Sequence, residues 1–71
     1  MKCEVKLKND KAIFVDNFNC IKYLDNYEGN MKQFKSEELE KLELIDGVTY
    51  TIIGNSIAKV KGEQILYFHF N

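Results

Sequence analysis

The chain has 71 residues and a formal net charge of -1, with 45% hydrophobic and 13% aromatic residues. That is one domain's worth of sequence (residues 1–71), too apolar for a disordered chain. Its charge is too balanced for a global field to draw it onto nucleic acid or an anionic membrane.

Residues 2–8, KCEVKLK, alternate strictly, with Cys3, Val5 and Leu7 on one face and Lys2, Glu4, Lys6 and Lys8 on the other. This pattern predicts a half-buried strand. Asn9-Asp10-Lys11 turns the chain into AIFVDNF. A three-residue loop there sets Leu7 against Ile13 and Val5 against Val15, burying all four and leaving Phe14 outside beside Lys6. A slip of one residue would invert every side chain.

Residues 17–27 alternate less cleanly, and Leu24 breaks the pattern, which predicts a bent strand with a bulge. Tyr27-Glu28-Gly29-Asn30 is a turn by composition. Met31–Lys35 is a short strand with Met31, and Phe34 with it, directed inward. Ser36 followed by Glu37 and Glu38 starts a helix, with a hydroxyl to cap it and carboxylates at the positive end of its dipole. That α-helix spans residues 37–43 and docks through Leu39 and Leu42, since two turns do not hold themselves in water.

Val48–Phe70 reads as three antiparallel strands. Gly54-Asn55-Ser56 and Gly62-Glu63 are the turns, glycine being the residue that tolerates positive φ. A three-residue first loop pairs Ile52 with Ala58 and Tyr50 with Val60. A two-residue second loop pairs Val60 with Ile65 and Ala58 with Tyr67. The last strand, ILYFHF, is then apolar on both faces, so it is either enclosed or meets a partner. The fold expected is mainly β: a small antiparallel barrel or half-barrel of five to six short strands with the one α-helix. An SH3-like or Sm-like barrel is the nearest architectural analogy, and such an architecture does not fix function.

No constellation for catalysis stands out. His69 is the sole histidine and has no nucleophile or orienting acid in sequence; Asp16 and Asp25 belong to no recognisable pair. Cys3, Cys20 and His69 lack the spacing of a zinc site, and no glycine-rich phosphate loop is present. We therefore expect no enzyme, cofactor or metal. The acidic stretch Glu37, Glu38, Glu40, Glu43 and Asp46 reads as a solvated helix face.

Two binding classes remain. The first is a non-enzymatic interaction module that holds another protein, or a second copy of itself, by an exposed apolar sheet face or edge at Ile65, Tyr67, Phe68 and Phe70. The alternative is a small-barrel nucleic-acid binder using Lys22, Tyr23, Lys32, Lys59, Lys61 and Tyr67. The ten basic residues are all lysine, so the planar fork that arginine offers phosphate and guanine is missing, which favours the first class. MKCEVKLKND has no apolar signal core, no run reaches the ~20 residues of a membrane span, and two cysteines are few for a secreted scaffold of this size. A cytoplasmic protein with free thiols is the expectation. Lysine, asparagine and isoleucine are abundant while arginine, proline and tryptophan are absent. That bias suits an AT-rich bacterium, or a phage or mobile element within one.

Overall fold

In the computed structural model, which describes residues 1–71, the alternating segments form seven strands and two 3-10 turns. The strands are β1 (Cys3–Leu7), β2 (Ala12–Val15), β3 (Cys20–Leu24), β4 (Met31–Lys35), β5 (Thr49–Ile53), β6 (Ile57–Lys61) and β7 (Ile65–Phe70). They make two antiparallel sheets, ordered β2-β1-β7 and β4-β3-β5-β6. The mainly β, small antiparallel architecture is as the alternation implies, but no ladder of hydrogen bonds joins the two sheets into a closed barrel.

The β5–β6 hairpin has the expected register, with Ile52 opposite Ala58 and Tyr50 opposite Val60 around the loop Gly54–Ser56. The β1–β2 hairpin keeps the expected faces but pairs two residues further along, Val5 with Ile13 and Cys3 with Val15. Its three-residue loop is Lys8-Asn9-Asp10, closed by Leu7 N–H to the Lys11 carbonyl and Asp10 N–H to the Leu7 carbonyl. Asp10 takes a left-handed φ of 74°, which makes a type I turn followed by a bulge residue. Because the shift is two residues, the inward set survives and Phe14 stays outside, 56% exposed, with the Lys2 ammonium 5.8 Å from its ring.

The expected pairing of the last two strands is overturned. β7 does not return along β6; it crosses to the other sheet and pairs with β1, from Cys3 opposite Phe70 to Leu7 opposite Ile65. The second 3-10 turn, Gly62–Gln64, makes this step in place of a two-residue hairpin. Gly62 does not supply positive φ there. A Cβ on it would fall on the Ile45 carbonyl oxygen, so the chain needs the missing side chain for close approach. Gly54 has the same role, since its Cβ would lie 2.5 Å from the Asp16 carbonyl oxygen.

The predicted α-helix is a 3-10 helix, Ser36–Lys41, with no buried residue. Its start is tied by the Glu38 carboxylate, which accepts from Lys35 N–H at 3.2 Å. The segment from residue 36 to 48 joins β4 to β5, which run parallel on either side of β3. It crosses the inner face, where Leu39, Leu42 and Ile45 pack against the core. The Tyr50 hydroxyl anchors it, donating to the Glu43 carbonyl (2.5 Å) and accepting from Ile45 N–H (2.9 Å).

The core is the space between the sheets, filled by Cys3, Val5, Val15, Ile21, Tyr23, Val48, Tyr50, Ile52, Val60 and Ile65. Six rings run through it in contact: Phe34–Tyr23–Tyr50–Phe68–Phe70–Phe18, with successive centroids 5.0–6.2 Å apart. In β3 the register is unbroken, so Ile21 and Tyr23 point inward and no bulge occurs there. Met31 and Phe34 stand an odd number of residues apart and cannot share a face. Phe34 turns inward, and Met31 is 61% exposed.

Candidate interaction edge

Two open sheets have four edge strands, and each edge is a row of backbone donors and acceptors that must go somewhere. The β2 and β6 edges approach each other only at the loops beyond their ends, where Asn55 N–H donates to the Asp16 carbonyl at 2.8 Å and Gly54 packs on the backbone of Asp16 and Asn17; the β6 edge itself is lined by Lys59 and Lys61. The β4 and β7 edges lack even that contact.

On β7 the hydrogen-bond phase is fixed at its end. Lys2 N–H donates to the Asn71 carbonyl (2.7 Å) and Asn71 N–H to the Lys2 carbonyl (3.0 Å). In an antiparallel ladder, the bonded pairs recur every second residue. Tyr67 and His69 therefore spend their backbone groups on Lys6 and Glu4, while those of Phe68 and Phe70 point out of the sheet. The same reasoning on β4 starts from Asp25 N–H to the Asn30 carbonyl (2.8 Å) and leaves Met31, Gln33 and Lys35 directed outward. Of these, Lys35 N–H is already taken by Glu38.

A register shift between Lys6 and Leu7 decides where the β7 side chains go. Leu7 faces Ile65 and Lys6 faces Tyr67, so Leu66 is an extra residue. Beyond it the alternation inverts. Ile65 is buried (2% exposed), Leu66 and Tyr67 both turn outward (54% and 42% exposed), and Phe68 and Phe70 turn inward as half-buried rings. The four residues expected to form one interface thus divide. Ile65 belongs to the core; Phe68 and Phe70 belong to its rim beside the free backbone; Tyr67 stands outside with Leu66. Local sequence gives no signal for the bulge, because it arises from pairing with β1, at the far end of the chain.

The alternative set also divides. Lys22, Lys59 and Lys61 share the outer face of the four-stranded sheet. Tyr23 is buried to 6% exposure on the opposite face, where it cannot stack a base. Lys32 lies on that inner side and binds the Asp25 carboxylate at 3.3 Å. That hydrogen bond raises the Lys32 pKa, while Asp25 is held low, first by Tyr27 N–H donating to it at 2.8 Å. Tyr67 is on the other sheet. Lys35 joins the Lys22 face and was not among the expected residues, although its even spacing from Gln33 and Met31 carries the signal.

No three His, Cys, Asp or Glu side chains converge as a metal centre would require. Cys3 and Cys20 are free and buried on different sheets. Burial pushes the Cys3 thiol up to about 11 from its ordinary 9.0. His69 is exposed, with Nδ1 3.6 Å from the Glu4 carboxylate. The two surface hollows hold about 240 and 150 Å³, below the ~300 Å³ at which small-molecule sites begin. No helix is long and apolar enough to cross a membrane. No family model, curated protein or solved structure matches the chain.

Proposed function

We propose that the chain is a non-enzymatic interaction module that takes an extended segment of a partner protein along the free edge of β7. One observation carries this reading: β7 is an edge strand six residues long, Ile65–Phe70, with His69 its only ionisable group besides the Tyr67 phenol. Proteins ordinarily blunt such an edge with lysine, proline or a cover. Here the outward backbone groups of Phe68 and Phe70 are paired with nothing, and two half-buried rings and two exposed apolar side chains flank them. An added strand would gain main-chain hydrogen bonds and would also complete the burial of Phe68 and Phe70. Two buried free thiols suit a reducing cytoplasm, and the small size and lysine-, asparagine- and isoleucine-rich composition suit an accessory or inhibitory protein of a phage or mobile element.

The test is a tagged pull-down from lysate of an AT-rich bacterial host, treated with nuclease and washed at high salt, alongside the variant Tyr67→Lys/His69→Lys. Both side chains are exposed, so the variant folds like the parent by circular dichroism while its edge now carries charge. The expected result is one protein retained by the parent and lost by the variant. Equal retention by both would sink the β7 edge as the site. If the parent captures nothing but itself, light scattering on the purified chain identifies a second copy as the occupant.

A further inference from the structure

The outer face of the four-stranded sheet carries twelve side chains whose positions follow from the pairing register. Across β4, β3, β5 and β6 the rows read Lys35, Cys20, Ile53, Ile57, then Gln33, Lys22, Thr51, Lys59, and at the far end, where the β3–β5 ladder has ended and the same register is extended by one step, Met31, Leu24, Thr49, Lys61. Four are lysines and none is acidic, in a chain whose acids outnumber its bases by 11 to 10. None of the four is in an ion pair; the pairs that exist use Lys2, Lys6, Lys32 and His69.

The lysines also follow a line. Lys35 sits at one corner and Lys61 at the opposite one, with Lys22 and Lys59 between them and the hydroxyls of Thr49 and Thr51 filling the band. Apart from the buried Cys20 beside Lys35, apolar side chains are confined to the two remaining corners, Ile53 with Ile57 and Leu24 with Met31. With strands about 4.8 Å apart and about 3.4 Å per residue along each, the band is roughly 20 Å long. One strand of a duplex places a phosphate about every 3.4 Å along the axis, so roughly six phosphates span that length.

We propose that this face is a second, independent binding surface, which docks on the phosphodiester backbone of duplex nucleic acid without reading its sequence. Lysine ammoniums and threonine hydroxyls are backbone-contacting groups, and the face presents nothing that would report base identity. The duplex is favoured over a single strand because the face exposes no aromatic ring to stack a base, and a duplex offers the denser charge. An anionic bilayer is disfavoured, since Asp25 and Glu28 adjoin the Leu24–Met31 corner that would have to enter it.

The experiment is fluorescence anisotropy of a labelled 20-base-pair DNA duplex titrated with the protein at several salt concentrations between about 25 and 200 mM. Four phosphate contacts predict a slope of log K against log salt near -3.6. Lys22→Gln and Lys59→Gln should each reduce that slope by about 1, whereas Lys41→Gln, on the 3-10 helix away from the face, should leave it unchanged. A slope that ignores the Lys22→Gln/Lys59→Gln double variant overturns the proposal. So does single-stranded DNA of equal length binding as tightly as the duplex, or poly-glutamate or phosphatidylserine vesicles binding more tightly than either. The Tyr67→Lys/His69→Lys variant, altered on the other sheet, should keep the parent's ability to bind the duplex.

Discussion

Two open edges of this molecule, β4 and β7, are built from opposite materials. β4 reads Met31-Lys32-Gln33-Phe34-Lys35, and its lysines, together with the Glu38 carboxylate on Lys35 N–H, make pairing with a stray strand costly. β7 reads Ile65-Leu66-Tyr67-Phe68-His69-Phe70 and has only the Leu66 bulge as protection. Both edges are equally open in topology, so apart from the Leu66 bulge the difference lies in side chains. β7 is thus the less guarded of these two edges, the contrast on which the proposed function rests.

The most damaging way to test that contrast is to disturb the turn that delivers β7 to its place. Gly62→Ala puts a methyl group onto the Ile45 carbonyl, and we expect a loss of about 3 kcal/mol in urea unfolding, near the top of the usual overpacking range. An unchanged midpoint would mean that β7 is not held by this turn. Next, Phe68→Ala should cost about 2–3 kcal/mol and Phe34→Ala less, because Phe68 touches both Tyr50 and Phe70 whereas Phe34 stacks on Tyr23 alone. Equal losses would show that β7 is no more integral to the core than β4.

Alkaline pH probes the β1–β7 sheet through Cys3, which faces Phe70. Its thiol ionises near 9.0 when unfolded and near about 11 when folded, so the folded state favours the neutral form. That contribution is complete below pH 9 and is lost as pH rises to about 11, a fall on the order of 2 kcal/mol that Cys3→Val should abolish. Between pH 9 and 10 the fall belongs chiefly to Cys3, since burial raises Tyr50 from a higher starting value of 10.0. The smallest effect on stability should come from exchanging the guards. Lys35→Thr removes charge from β4 and should change stability by no more than about 0.5 kcal/mol. It should raise self-association measured by light scattering; a strictly monomeric variant would show that lysine is not what protects that edge.

Much of the architecture is legible where pairing is local. The β5–β6 register follows from the loop Gly54–Ser56 and the apolar set around it, and the inward Ile21 and Tyr23 follow from alternation once β3 is taken as regular. The destination of β7 is not legible. ILYFHF carries the same apolar pattern whichever strand it joins, and the close approach of Gly62 to Ile45 at the turn that leads to β1 is encoded in no local pattern. The candidate edge inherits the same difficulty: its composition is visible in sequence, but the division of Ile65, Tyr67, Phe68 and Phe70 between core, rim and surface depends on one unpaired residue.

The double backbone bond between Lys2 and Asn71 has a kinetic consequence. The β1–β2, β3–β4 and β5–β6 hairpins close short loops and can form early. The ladder that completes the three-stranded sheet must bring together opposite ends of the sequence, at the largest loop-closure cost in the chain. Until it zips, Tyr50 and the aromatic row lack their cover, and the segment carrying Phe68 and Phe70 is free to pair elsewhere. The strand whose outer edge stays open in the finished fold is thus also the one whose own pairing carries the largest closure cost.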